Sequence, residues 1–524
     1  MKRFGWVLFV VAVVLLAVSY FISSRNIGIS DEELTDYSTA VMMSHDELQT
    51  PGLMFFGKMV PIVNSPYQGS LKSWLVAPIL RIFGTSVYVN RFLNTVLALI
   101  YLLAMYWVLK LLVGESWAPL VFLIPLLDTK FLLYAPFDYG PFLGQLIFIS
   151  LSIGGILRYI KYKKIKWWYF SNLMIGAILA QKLTSFPAFL SLFLINNTLY
   201  IWRKRQSLIS LRTFGEILIS ICCFSIFLWP SIYYFLTYGF TDFLVNSASS
   251  EVITFWSYWP KIWVVLVSFF KGFDGVFWVK GCTIIKDIKP VLVFFPIFSV
   301  LLVFWEIVKC FSKKNVYFLF SLFSFLFTVL IFTFVRGLTR SHHFFILQPF
   351  WMLTVFVSLV DFIKCYKNFW QRWLVLLVVV FGMLANDMVM LRYFGRYKGA
   401  VLSSVAIYDL NDRLLSLNAQ KVYALNFSLS APIYYLSGGK VKTVNLAWNG
   451  LNSDELSQLL DEVRNNNDTY LVARRSNNYY WSQEWIDWLN RDLVLADLID
   501  HPEKYGVKIS TMMDSRGTSF YLIK

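Results

Sequence analysis

The sequence predicts a polytopic α-helical membrane protein followed by a small C-terminal α/β domain, and three observations predict it. Apolar runs long enough to cross a bilayer recur along the first three quarters of the chain. Short basic clusters punctuate those runs on alternate sides, and the composition turns polar after about Arg392. Of the 524 residues 57% are hydrophobic and only 15% charged, against roughly 25% charged in an average soluble domain. The 49 Phe, 29 Tyr and 20 Trp need either a very large core or lipid around them. The excess of 47 Lys+Arg over 31 Asp+Glu would suggest nucleic acid in a soluble chain. Here the cations sit between hydrophobic runs, where they set topology instead, so no nucleic-acid partner is expected.

A spanning helix needs about 20 mainly apolar residues. The first, 4–22, follows Met1-Lys2-Arg3. A cleaved signal peptide starts the same way, but no small-x-small site ends this run, so it reads as a retained helix with a cytoplasmic N-terminus. Further spans fall at 87–112, 117–134, 141–159, 167–186, 187–202, 214–238, 290–308, 316–335, 344–362 and 373–389. That makes about eleven crossings and puts the C-terminus outside. The basic clusters then all face inward: Arg158, Lys161, Lys163, Lys164 and Lys166; Arg203, Lys204, Arg205 and Arg212; Lys309, Lys313 and Lys314; Lys364, Lys367 and Arg372. The outer loops carry the acids Asp31, Glu32, Glu33, Asp36, Asp46, Glu47, Asp138, Asp242, Glu251 and Asp274. A single missed helix would invert everything after it.

Two outer segments exceed mere connectors. In 23–86, the stretches 53–60 and 71–83 read as helices lying along the interface, the second ending at Gly84. The long outer loop 239–289 holds Trp256, Tyr258 and Trp259 and a further apolar run, 262–270, read as a partly embedded loop. The domains expected are therefore 1–392 in the membrane and 393–524 outside it. In the latter, short β-rich runs at 421–428, 441–446, 469–474 and 519–523 alternate with helical pattern at 454–464 and 483–493. The five cysteines show no CxxC or His/Cys spacing, so neither a disulfide framework nor a zinc site is expected.

Some charges are unexplained by membrane packing. Asp31-Glu32 follows the first span within about eight residues, which pins it near the outer surface. Asp138 sits in Pro136-Phe137-Asp138-Tyr139-Gly140-Pro141 between two spans on the same side. Lys182 lies near the outer end of the fifth span, and Arg336, Arg340, His342 and His343 gather between the ninth and tenth. An ionisable residue at membrane depth costs about 2.5–3.5 kcal/mol on insertion scales, so it tends to be paired or functional. The bland readings are a solvated acidic loop, a snorkelling lysine and juxtamembrane anchors. Together, carboxylates and cations facing one outer cavity suit a reaction with an anionic lipid phosphate as leaving group and a hydroxyl as nucleophile.

Ile29-Ser30-Asp31-Glu32-Glu33-Leu34-Thr35-Asp36-Tyr37 after a first span resembles the first-loop acidic motif of the GT-C glycosyltransferases. These are integral membrane enzymes using polyprenyl-phosphate sugars, among them the protein O-mannosyltransferases and the aminoarabinose transferase of lipid A. Gly69-Ser70-Leu71-Lys72-Ser73-Trp74-Leu75, then Pro78, Phe83-Gly84-Thr85-Ser86 and Asn90-Arg91-Phe92, is similar to that family's interfacial helix, Phe-Gly-x-Ser and arginine opening the second span. Asp138 matches the second outer-loop acid, Lys182 resembles a fifth-span lysine, and Arg340 to Pro349 resembles the late polar cluster before a proline. The likeness covers residues 1–390.

The resemblance implies an inverting transfer of one sugar from a polyprenyl-phosphate carrier to a hydroxyl of a glycan, lipid or protein acceptor at the outer face of the membrane, and the membrane expected is a bacterial inner membrane. Asp31 would be the general base, with Glu32 or Asp138 orienting acceptor or base. Lys182, Arg340, His342 and His343 would hold the donor phosphate. Trp256, Tyr258 and Trp259 either stack on sugar faces or form an interfacial aromatic belt, with the belt favoured. The Trp-Trp-Asp-Tyr-Gly signature of oligosaccharyltransferases is absent, which disfavours a diphosphate carrier, and without a clear DxD a divalent cation stays open. The competing classes are a glycolipid transporter or flippase, which usually places charges at mid-bilayer within repeats, and an O-antigen ligase or polymerase.

Overall fold

The computed structural model describes residues 2–29, 31–45, 48, 50–55, 57–65, 68–138, 141–205, 210–238, 258–271, 294–310, 315–334, 341–366, 368–396, 404–425, 429–446, 453–476, 493–513 and 518–524. Among them, six helices are long and apolar enough to cross a membrane: Phe4–Asn26, Val87–Val113, Phe142–Tyr162, Leu211–Thr237, Val316–Thr333 and His343–Cys365. Lys2–Asn26 (α1), Val87–Val113 (α4), Phe142–Tyr162 (α7), Leu211–Tyr238 (α10), Val316–Phe334 (α13) and Gln348–Cys365 (α14) are the corresponding elements. Between them run Ile165–Gln181 (α8), Phe186–Lys204 (α9), Phe294–Cys310 (α12) and Phe369–Arg396 (α15). The central member is α14: 89% of its apolar window is buried, against 28% for the peripheral α10. One continuous apolar core joins α1, α4, α7 and α14.

The expected span over 117–134 is broken into a 3-10 turn (Ala118–Leu123) and two short helices, Ile124–Leu127 (α5) and Thr129–Tyr134 (α6). Pro119 and Pro125 sit at the starts of the first two pieces, and Asp128 Oδ1 accepts the Phe131 N–H at 3.3 Å to begin the third. Prolines remove backbone donors and a capping carboxylate competes for the chain's own bonds, so one apolar run does not make one rod. In the long outer loop, the run expected to stay irregular is helical: Tyr258–Lys271 (α11), with Val265 and Phe269 buried. The rest of that loop lies outside the described residues.

The 23–86 segment forms Asp31–Ser44 (α2), two β-ribbons and Leu71–Phe83 (α3). The interfacial helix expected over 53–60 is instead a hairpin of Gly52–Phe55 (β1) and Lys58–Pro61 (β2), with Phe55 opposite Lys58. Gly57 turns it at φ +75°, a left-handed backbone that a two-residue turn needs and that glycine adopts without strain. Val63–Ser65 (β3) and Gln68–Gly69 (β4) make the second ribbon. The helix expected over 71–83 forms, and Gly84 ends it by donating to Leu80 O at 2.9 Å.

Residues 404–524 fold around a five-stranded sheet of order β6-β5-β7-β9-β8. Lys421–Ala424 (β5), Lys442–Asn445 (β6) and Thr469–Ser476 (β7) run parallel, while Thr518–Ile523 (β9) is antiparallel to β7 and to Ile509–Met513 (β8). Side-chain alternation divides the sheet between two cores. Val422, Ala424, Tyr470 and Val472 meet Ala406–Ser416 (α16), Ser430–Leu436 (α17) and also Leu34, Tyr37, Val76 and Leu80 of α2 and α3. Tyr423, Leu471 and Ala473 meet Ser453–Asn465 (α18) and Leu493–Asp500 (α19). Strands buried on both faces read as short apolar runs. The first core spans the junction, so α2 is held between helix bundle and sheet.

Candidate active site

Three segments distant in sequence deliver charge to one buried place. Helix α2 supplies Asp36, the first turn of α3 supplies Lys72, and the loop before α7 supplies Asp138, which is 1% exposed. Lys72 Nζ donates to Asp138 Oδ2 at 2.6 Å and to Asn94 Oδ1 at 3.1 Å, and lies 3.8 Å from Asp36 Oδ2. It also sits 4.6 Å above the Tyr37 ring. The other Asp138 oxygen accepts the Leu143 N–H at 2.7 Å, so the first turn of α7 faces a carboxylate where its dipole favours one. Asp138 holds φ +43°, a sparsely populated backbone for a residue with a Cβ, and such strain gathers at functional positions.

Around this trio the polar groups are tied in turn. Asn64 Nδ2 donates to Asp36 Oδ1 at 2.6 Å and Ser73 Oγ donates to Asn64 Oδ1 at 3.1 Å. Tyr37 OH donates to Asn94 Oδ1 at 2.6 Å, and Asn94 Nδ2 reaches Pro136 O at 2.9 Å, fixing the Asp138 loop to α4. Burial pushes the Asp36 carboxyl up to about 6, and the Asp138 charge adds to that rise. Lys72 and the amides of Gln68 and Asn64 hold it back. Burial likewise lifts the Tyr37 hydroxyl well above its ordinary range. One turn back on α2, Glu33 makes a separate pair: Arg91 Nε and Nη2 donate to its two oxygens at 2.9 and 3.1 Å.

Lys182, 4% exposed, is joined to the cluster through Gln68, with which its backbone forms an antiparallel bridge. Gly69 permits that approach, because a Cβ there would overlap the Ala180 carbonyl oxygen. The 3-10 turn after Lys182 (Leu183–Ser185) packs against the 3-10 helix Ser341–Leu347. Tyr134, Phe142 and Phe345 pack there, Phe345 meeting Tyr134 edge-on at 4.8 Å and stacking on Phe142 at 5.0 Å between centroids. His343 on that helix is half-buried. The structure therefore brings together Asp138, the Lys182 segment and the helix bearing His342 and His343. Asp31 and Glu32 open α2, and Tyr258 and Trp259 open α11, but their side chains, like that of His342, lie outside the described residues. Arg336, Arg340 and Trp256 lie outside them altogether. Among the described residues no group of three or more His, Cys, Asp or Glu gathers as metal ligands.

The acidic motif points to Asp31 and Glu32, whereas the buried cluster is built on Asp36 and Lys72, which stand inside the same two motifs. The signal that finds Asp36 is helical spacing over 31–44. Glu33, Asp36, Tyr37, Ala40 and Val41 then fall on the face that is buried, at the helical spacing of 3 and 4.

No protein-family model and no curated protein matches the sequence. Solved structures do. ArnT from Cupriavidus metallidurans in the apo state superposes with a TM-score of 0.59 at 11% identity, covering 100% of this chain and 98% of that one. The same protein bound to undecaprenyl phosphate gives 0.57 at 12%, covering 99% and 98%. The Archaeoglobus fulgidus oligosaccharyltransferase tethered with an acceptor peptide aligns at 0.49 and 12%, over 99% of this chain and 74% of that one. At such identity the first two matches speak for architecture alone, and they do so over the full chain: this integral membrane protein has the fold of the ArnT structures.

Proposed function

We propose that the protein is an inverting glycosyltransferase that moves a single sugar from a polyprenyl-phosphate carrier to a hydroxyl acceptor at the outer face of the membrane. One observation carries the reading: two buried carboxylates from separate outer segments, Asp36 and Asp138, meet a single ammonium, Lys72, beside the Lys182 segment. The superposed ArnT structure holds undecaprenyl phosphate, which favours a polyprenyl phosphate as the carrier. The basic Met1-Lys2-Arg3 favours a cytoplasmic N-terminus, and α2 with its Asp36 follows the first span, which favours the outer side for this cluster.

In the reaction the acceptor O–H gives its proton to a carboxylate of α2 while its oxygen attacks the anomeric carbon. The C1–O bond to phosphate breaks with inversion, and polyprenyl phosphate departs. Asp36 is the base that the geometry favours. A carboxyl near 6 is ionised at neutral pH yet basic enough to share a proton in the transition state. Asp31 is the base that the acidic motif favours, and Glu32 precedes Asp36 by one helical turn. Asp138, held by Lys72 and the α7 amide, orients. Lys182, Arg340, His342 and His343 meet the growing charge on the leaving phosphate, where fixed donors each contribute about 3–4 kcal/mol in a water-poor site.

Mass spectrometry of envelope glycolipids and glycoproteins from a strain lacking this gene should show one sugar missing. Complementation with wild type should restore it, and with Asp31→Asn or Asp36→Asn it should not for whichever residue is the base. An envelope unchanged by the deletion would end the proposal, and full complementation by both variants would remove α2 as the source of the base.

A further inference from the structure

We propose that the C-terminal end of α1 carries a binding site for the headgroup of an anionic phospholipid, separate from the carboxylate cluster. Val7, Val10, Val14, Val18 and Phe21 are all exposed along α1. Their spacing of 3 and 4 makes one stripe, and a stripe of bare apolar side chains on a spanning helix faces lipid. The next position on that stripe is Arg25, also exposed. From Val7 to Arg25 the helix rises about 27 Å at 1.5 Å per residue, close to the hydrocarbon thickness of about 30 Å. The guanidinium thus stands at headgroup level on the lipid side.

A cation in the last turn would ordinarily serve the orphan carbonyls of its own helix. Here another residue does so: Arg91 Nη1 donates to Ser23 O and Ile27 O at 2.5 and 2.9 Å, and its Nη2 donates to Gly28 O at 2.8 Å. Among the described residues Arg25 has no carboxylate or carbonyl partner. It lines instead an open crevice of about 540 Å³ with Phe21, Ile22, Asn26 and Val405. A snorkelling arginine needs no crevice. This one has an amide beside it, two apolar residues toward the membrane, and a wall supplied by the segment that enters α16, whose Tyr408 OH donates to Ile27 O at 3.2 Å. The forked guanidinium suits a phosphate diester, and the volume lies within the usual range of about 300–1,000 Å³ for ligand pockets. A lipid seated there would pin the C-terminal domain to the first span.

The test is native mass spectrometry of the full chain released from micelles holding phosphatidylglycerol and phosphatidylcholine in equal amounts. Wild type should keep one phosphatidylglycerol with about tenfold preference, the weight of a single charge-assisted contact. Arg25→Gln should bring that preference down to parity. Val405→Trp, which fills the crevice and keeps the charge, should do the same. Wild-type retention of both lipids alike, or undiminished phosphatidylglycerol on either variant, would overturn the site. Release of the lipid by millimolar inorganic phosphate would show a free-anion site and overturn the lipid assignment.

Discussion

Two buried charge clusters stand one turn apart on α2, and they are built in opposite ways. Glu33 meets Arg91 one to one, with both carboxylate oxygens engaged and the remaining guanidinium donors spent on Ser23, Ile27 and Gly28 carbonyls. The Arg91 guanidinium also lies 4.4 Å from the Phe137 ring centre. Asp36 and Asp138 share one ammonium, and that ammonium sits closer to Asp138 by more than an ångström. The first cluster is saturated and neutral, the second short of one positive charge. A saturated ion pair holds a loop in place; an undercharged one leaves a carboxyl ready to exchange a proton. The same helix thus anchors itself with one residue and, in the proposed reaction, takes the proton through another three positions on.

The largest effect expected from breaking this contrast is on turnover. Asp36→Asn removes the excess charge and the base together, and should lower sugar transfer about 10²–10⁴-fold while the thermal midpoint in detergent at neutral pH holds or rises. Arg91→Gln should do the reverse: stranding Glu33 in the interior costs about 3–5 kcal/mol, read as a lowered unfolding midpoint or loss of monodisperse protein.

The pH dependence sharpens the comparison further. Because burial raises Asp36 to about 6 in the folded protein, against about 3.9 unfolded, its contribution to stability is complete below about pH 4 and is lost as pH rises through 6. Its service as a base runs the other way, so the rate should fall about tenfold per unit below pH 6 while the unfolding midpoint drifts upward. A rate flat from pH 7 to 5 would take Asp36 out of the proton transfer. Gly69→Ala, which drives a methyl into the Ala180 carbonyl, should cost about 1–3 kcal/mol and weaken donor use by displacing Lys182, visible as a raised KM for the polyprenyl-phosphate sugar. Smallest is Tyr435→Phe. It removes the hydrogen bond to Ser86 O that helps seat the C-terminal sheet on α3–α4, and should cost about 0.5–1.5 kcal/mol with turnover unchanged.

Much of this was legible in the residues. The run 71–83 ended where Gly84 ends it, and the runs around 421, 441, 469 and 519 became strands. The 53–60 stretch misled because a short semi-apolar run has no decisive period, and Gly57 rather than hydropathy chose the hairpin. The 117–134 run misled because its average apolarity hid Pro119, Pro125 and Asp128. At the site, sequence could count acids after the first span but could not rank them.

Apolar periodicity and charge asymmetry act locally along the chain, so the sequence by itself determined that this protein is a bundle of membrane helices with a terminal α/β unit, and which loops carry its acids. Which acid turns inward was decided only by tertiary structure. Asp36 is a candidate base because Lys72, 36 residues on, and Asp138, 102 residues on, close around it. Desolvation and charge sharing exist only once those segments meet.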